Sequence, residues 1–230
     1  VISVPISLGI AIFLVEQAPK KVATPIGFMV ELLAAIPSVV YGLWGIFVLA
    51  PFVREYLGVF LEKYFGWLPL FQGRLTGIGM LTGGIVLALM ITPIITAVVR
   101  DVLEAVPTTQ REAALALGAT KWETTKIVLG NAASGIAGAI VLGLGRALGE
   151  TMAVTMVIGN SPQISMSLFE PAYTIASVLA ANFADATEEL YLSALIQMGL
   201  VLFLVTFAVN ALAKLLVARV ARGSGTAKHA

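Results

Sequence analysis

Apolar residues run along this chain in five blocks, at about 1–15, 23–52, 75–99, 132–159 and 190–218, and polar residues collect between them. Blocks of about 20 apolar residues have the length of a membrane-crossing helix, and a backbone in hydrocarbon must satisfy its hydrogen bonds within itself. The pattern therefore predicts an all-α, polytopic membrane protein with about five spans. The first block is short for a span. Val1 is not a start methionine, and the block lacks the basic flank and small-residue cleavage site of a signal peptide. It is expected to be the second half of a helix that begins upstream. Pro37-Ser38 divides the second block, where proline is expected to kink the helix.

Composition agrees with this pattern. Of 230 residues, 59% are hydrophobic and 12% charged, and the mean hydropathy is +0.97. Soluble domains carry about 25% charged residues, so this chain cannot cover a water-facing surface. With no cysteine, disulfide and thiol chemistry are excluded. The lone His229 lies at the C-terminal end and is read as a solvated residue with no metal role.

The net charge of +1 says little; the distribution of charge says more. The loop with Lys20 and Lys21, the loop at about 100–131 (Arg100, Arg111, Lys121, Lys126) and the C-terminal end (Lys214, Arg219, Arg222, Lys228) hold ten basic residues. The alternate loops hold Arg54, Lys63 and Arg74. Basic residues favour the cytoplasmic side. The N-terminus is therefore expected outside and the C-terminus inside, with 1–218 a transmembrane domain and 219–230 a flexible basic tail. The loop at about 53–74 carries Tyr56, Tyr64, Trp67 and Phe71, which suit a membrane interface. The loop at about 160–189 has no Lys or Arg, and its stretch Tyr173 to Ala181 suits a half-inserted helix.

Two motifs carry chemistry. In the 100–131 loop, Pro107 is expected to stop the preceding helix. Thr109 and Glu112 have capping-box spacing, as do Thr120 and Glu123, and Gly118 is placed to end a short helix in the left-handed conformation. Two short cytoplasmic helices with a glycine turn follow, the first presenting Ala113, Ala114 and Leu117. Taken alone, this is either a docking element for another protein or an ordinary helical hairpin.

The second motif is Gly143-Leu144-Gly145-Arg146-Ala147-Leu148-Gly149-Glu150-Thr151. Read as one continuous helix, it puts Arg146 near mid-span and Glu150 one turn further on the same face. Glu31 falls about 13 Å into the second block. An ionised group at mid-bilayer costs about 2.5–3.5 kcal/mol on insertion scales, so such groups face a bundle interior or an aqueous cavity. Arginine suits oxyanions through its planar fork of donors, and Thr151, Thr155 and Asn160 extend a polar line. Gly145/Gly149 and Gly79/Gly83 form Gly-x-x-x-Gly steps that allow close helix contact. The pair is either part of an anion path or a static ion pair that fixes packing. A gradient-driven transporter or channel, and a structural membrane subunit without a path, share the same composition. No Gly-x-x-x-x-Gly-Lys-[Ser/Thr] occurs in the chain, so a phosphate-binding loop of that kind is not its own.

At Glu112, Ala113, Ala114 and Gly118 the chain resembles the permease subunits of bacterial ABC importers, whose shared loop reads Glu-Ala-Ala, three residues, Gly, then Ile-x-Leu-Pro. Leu129 stands about one residue early for that Leu, and Gly130 occupies the proline position. The stretch from Gly143 to Val154, with Ala34-Ala35-Ile36-Pro37-Ser38-Val39-Val40-Tyr41-Gly42, resembles the phosphate-specific permeases of the PstC type. The resemblance covers nearly the whole chain after about residue 5. It implies a type I importer permease bundle, with six helices in the full family member of which the first is absent here. It further implies a PstA-type second permease, two copies of a PstB-type ATPase that uses ATP and Mg, and a PstS-type external phosphate-binding protein. By position, Arg146 and Glu150 would be the charged residues of the phosphate path; the polar residues read above, Glu31, Thr151 and Thr155, are expected to join them there. Glu112, Ala113, Ala114, Leu117 and Gly118 would couple to the ATPase. No cofactor is expected on this chain. Sulfate, molybdate and phosphonate stay open as cargo.

Overall fold

The computed structural model describes residues 1–225, with side chains to Arg219. His229 therefore lies outside the described residues. Helices dominate the chain: α1 (Ser3–Gln17), α2 (Lys20–Ala35), α3 (Ser38–Phe65), α4 (Met80–Glu104), α5 (Thr108–Ala116), α6 (Lys121–Leu148), α7 (Met152–Val157), α8 (Ile175–Asn182) and α9 (Glu189–Gly225). Among the described residues, four are long and apolar enough to cross a membrane: α3, α4, α6 and the part of α9 from Glu189 to Arg219. Ser3–Gln17 is a shorter apolar helix.

The spans shift against the expected blocks. The block at 23–52 is not one span. Its first part is α2, 16 residues long with Pro25 in its interior, short of the about 20 residues a crossing needs. After the break at Pro37, α3 runs on to Phe65 and takes in half of the expected 53–74 loop. It accommodates Pro51, which has no N–H to donate, between two wide π-type turns at Gly45–Leu49 and Val53–Leu57. The block at 132–159 is also not one helix. α6 begins eleven positions earlier, at Lys121, and stops at Leu148. Gly79 and Gly149 stand just outside their helices, so neither Gly-x-x-x-Gly step forms on a continuous helix face.

The chain divides into two compact units. One comprises Val1–Ala35, Ile91–Arg146 and Phe207–Ala230. Its core is built from stripes. On α1, Ser7, Ala11 and Leu14 are buried, and the Ser7 hydroxyl reaches the Thr92 carbonyl at 3.1 Å. On α4, Ile91, Ile95, Val99 and Leu103 recur at helical spacing and are at most 5% exposed. On α6 the inward face is Val128, Ala132, Gly135, Ala139 and Gly143. A Cβ on Gly135 would meet Val102 Cγ1 at 2.5 Å, and one on Gly143 would meet Ile95 Cδ1 at 2.6 Å. Small residues here let two backbones approach where lipid offers no hydrophobic drive for helices to associate.

The other unit comprises Ile36–Met90 and Ala147–Thr206. Its core is Leu49 and Val53 of α3, Val86 of α4, and Ala153 and Val157 of α7. The loop after α7 supplies caps. The first amides of α4 at Met80 and Leu81 donate to the carbonyls of Glu170 and Leu168, and Gly79 donates to Val157, so the orphan donors of a helix start are satisfied. Thr174 and Ser177 form a reciprocal capping box that starts α8, within the apolar stretch expected to be helical.

Candidate functional site: a cationic groove and a loop helix

α6 carries two different stripes. Beside its packed face, Gly138, Val141, Leu142, Gly145 and Arg146 line an open groove of about 900 Å³. The other wall is α9, which contributes Asn210, Lys214 and Val217, one helix face at i, i+4 and i+7. The two helices come close at Gly145, where a Cβ would sit 3.5 Å from Asn210 Oδ1. Arg146 and Lys214 are exposed into this space, and no salt bridge reaches either one among the described residues. Among the described residues, no carboxylate lines the groove.

Glu150 is not on the same helix face as Arg146. α6 ends at Leu148, and Glu150 lies between helices, 8% exposed, with its carboxylate accepting the Ala153 amide at 3.2 Å. The acid sits at the N-terminal end of α7, where backbone donors and the helix dipole favour negative charge. The continuous helix expected through 159 is broken because Gly149 weakens the helix and Glu150 offers the next one a start. Thr155 donates to the Thr151 carbonyl at 2.7 Å, and the Asn160 amide donates to the Thr155 carbonyl at 2.9 Å. These polar groups bond along their own segment.

Glu31 is held by Arg100, which also approaches Asp101 at 3.7 Å and Glu104 at 3.6 Å. This cluster lies in a second groove of about 750 Å³, with Lys20, Thr24 and Thr108 also on its walls. Glu31 lies on α2, not in a long span, and its charge is neutralised there.

The loop helix α5 shows which local signals held. Thr120 and Glu123 form the expected capping box: the Thr120 amide donates to Glu123 Oε2 at 2.7 Å, and the Glu123 amide to Thr120 Oγ1 at 3.3 Å. Thr109 and Glu112 do not form one. α5 starts a residue earlier, at Thr108, with Pro107 before it and no side-chain cap. At the other end Gly118 has φ +84. The Ala119 amide reaches the Ala114 carbonyl at 3.1 Å and the Gly118 amide that of Leu115 at 3.0 Å, the bond pair of a Schellman turn. The expected second short helix is instead the first turns of α6, continuous with the span. On α5, Ala114 turns inward at 7% exposed, while Leu115 and Leu117 stand out at 51% and 90%. Glu112 and Ala113 are also exposed.

α5 is tied to its unit by a contact that sequence reading missed. Arg111 donates to Glu16 at 2.9 Å and to the carbonyls of Leu103 and Val106 at 2.9 and 2.7 Å. It thus closes the end of α4 and holds the end of α1, and the Glu16 side chain is only 8% exposed. Gln110 accepts from Asn131 of α6 at 2.7 Å.

Comparison with known proteins places this architecture. The family described as "Binding-protein-dependent transport system inner membrane component" matches residues 3–222. The chain belongs to this family. It is similar to proteins named phosphate transport system permease protein PstC. In Xylella fastidiosa (strain Temecula1) one is 52% identical over 229 residues, 97% of this chain and 70% of the relative. In Pasteurella multocida another is 49% identical over 230 residues, 98% of this chain and 72% of the relative. In Mesorhizobium japonicum a third is 47% identical over 229 residues, 97% and 70%. Its fold is that of a chain in an inward-facing structure of the MetNI methionine ABC transporter, with TM-score 0.71, 18% identity and coverage of 95% of this chain and 88% of that one. The chain is therefore a membrane permease of type I ABC importer architecture, not the ATP-hydrolysing component.

Proposed function

We propose that this chain is a PstC-type permease subunit of an ATP-driven phosphate importer and that Arg146 meets the anion during passage. The observation that carries this is Arg146 itself: a guanidinium on a membrane-length helix, exposed into a groove of about 900 Å³ that has no acid on its walls. A charge so placed needs water or an anion, and its paired donors fit a tetrahedral oxyanion. The phosphate permease names of the relatives supply the cargo.

Hydrolysis of ATP with Mg belongs to a PstB-type partner, seated on the cytoplasmic face against α5. Leu115 and Leu117 are its exposed knobs, and Arg111 passes its movement to α1 and α4. A PstA-type permease completes the path, and a PstS-type receptor delivers phosphate from outside. The C-terminus is cytoplasmic, on the side rich in Lys and Arg. Glu150 sets the start of α7 and adds a negative charge beyond the end of α6. Thr151 and Thr155 follow it as a polar run.

The test is phosphate uptake into vesicles by the reconstituted four-component transporter. Arg146→Ala is expected to assemble fully and to lose at least 90% of uptake, on the order of the 1.5–3 kcal/mol of a hydrogen bond to a charged group. Competition by sulfate and molybdate should leave uptake intact. Normal uptake by Arg146→Ala removes the groove from the path, and preferred uptake of another oxyanion changes the cargo.

A further inference from the structure

The two grooves of the first unit differ in one respect that bears on ligand chemistry. The groove at α2 collects Lys20, Arg100 and Arg111, and Glu31 and Glu104 share its walls; Arg100 and Arg111 are both ion-paired. The groove between α6 and α9 collects Arg146 and Lys214 with no acid on its walls. Lys214 is the first Lys or Arg after a run from Leu190 to Ala213 that contains no charged residue. A cation in such a helix is costly unless an aqueous cavity or a counter-charge meets it. Here it faces the same space as a second cation, which raises that cost. One negative species in the groove would offset both.

We propose that Arg146 and Lys214 together form a two-cation station for a phosphoryl oxyanion, with Lys214 the half nearer the cytoplasmic end of α9. Asn210, one turn before Lys214, brings a carboxamide to the wall beside Gly145. Gly138 has no atom within 4 Å of its would-be Cβ, so the groove there is open rather than filled. This rests on the reading of Arg146 as a residue of the phosphate path and adds a second charge to it. Arginine supplies the planar fork and lysine a compact charge on a flexible stem. The anion would thus be held at two points and released by movement of the longer arm.

The same chemistry is offered by free phosphate and by an anionic lipid headgroup. The experiment separates them. The complete transporter is reconstituted in galactolipid vesicles with or without phosphatidylglycerol, and uptake of radiolabelled inorganic phosphate is measured for wild type, Lys214→Gln, Lys214→Arg and Arg146→Ala. With free phosphate as the ligand, Lys214→Gln lowers uptake about tenfold in both vesicle types, the size expected for one charge-assisted hydrogen bond, and Lys214→Arg restores most of it. With a lipid headgroup as the ligand, phosphatidylglycerol stimulates wild type, and Lys214→Gln abolishes that stimulation alone. Uptake by Lys214→Gln that equals wild type in both vesicle types, with the same lipid dependence, overturns the station. If Arg146→Ala is inactive in that case, the path reading survives without it. If Arg146→Ala is fully active, the path reading itself is lost.

Discussion

The helix Lys121–Leu148 has two glycine-bearing faces, and they do opposite things. Gly135 and Gly143, with Ala139 between them, sit hard against branched side chains of Met80–Glu104. Gly138 and Gly145 line an open groove, where a Cβ would meet nothing at the first and only Asn210, at 3.5 Å, at the second. On the first face glycine removes bulk so that a neighbour fits. On the second it leaves volume that no neighbour fills. Composition cannot separate these uses, because both faces are glycine in an apolar helix. What separates them is the offset: positions 135, 139 and 143 fall on one stripe, and 138 and 145 on another.

The strongest break of this comparison is Gly143→Leu. The new Cβ alone would lie 2.6 Å from two carbons of Ile95 and 3.0 Å from Ile91 Cγ2, so the neighbour is pinned from two sides. Overpacking of this kind costs about 1–3 kcal/mol, and the added γ and δ carbons put it at the upper end. Thermal unfolding of the purified complex should shift down by several degrees, with less assembled permease recovered. An unchanged melting temperature would mean that the two helices are not closely packed.

Gly138→Leu places the same side chain on the other face and has the opposite expected profile. A Cβ there meets no atom within 4 Å and the side chain extends into the groove of about 900 Å³, so assembly and melting temperature should match wild type. Phosphate uptake should fall at least fivefold, because bulk and an apolar surface replace space that a hydrated anion would use. Wild-type uptake here would leave the groove a lipid-facing crevice.

Sequence reading reached what depends on local chemistry. A charge in an apolar run marks Arg146 by itself, since hydropathy and cost are properties of the segment. Gly118 was legible because few other residues tolerate φ +84 at a helix end, and the Thr120–Glu123 box because its partners are three residues apart. Three other features lay beyond this reach. Hydropathy continues through Gly149 and Glu150, so the end of the helix at Leu148, which moves Glu150 from a shared face to a cap, is invisible to it. Glu31 lies in an apolar block, and hydropathy alone puts it in a span; its partner Arg100 is 69 residues away, and pairing at that range is fixed by the fold. Lys214 reads, by sequence, as part of the basic end of the chain. Asn210 and Lys214 do stand one turn apart in an apolar helix, and that spacing was the available signal for a polar face.

The smallest expected effect is also the sharpest discriminator. Gly145→Ala adds one methyl on the groove face, at an ordinary contact distance of 3.5 Å from Asn210 Oδ1. No neighbour must move, and alanine is favoured over glycine within a helix by roughly 0.5–1 kcal/mol. The melting temperature should stay level or rise by a degree or two, and uptake should remain within about twofold of wild type, since a methyl takes up little of the groove. Gly143→Ala, identical in chemistry and two residues away, should lower the melting temperature, because its methyl meets Ile95 at 2.6 Å. Opposite signs for one substitution at two positions of one helix cannot come from propensity, which is the same at both. They can come only from what each face meets. Equal signs would mean that the two faces are packed alike, and the groove would then have to be closed in the assembled transporter.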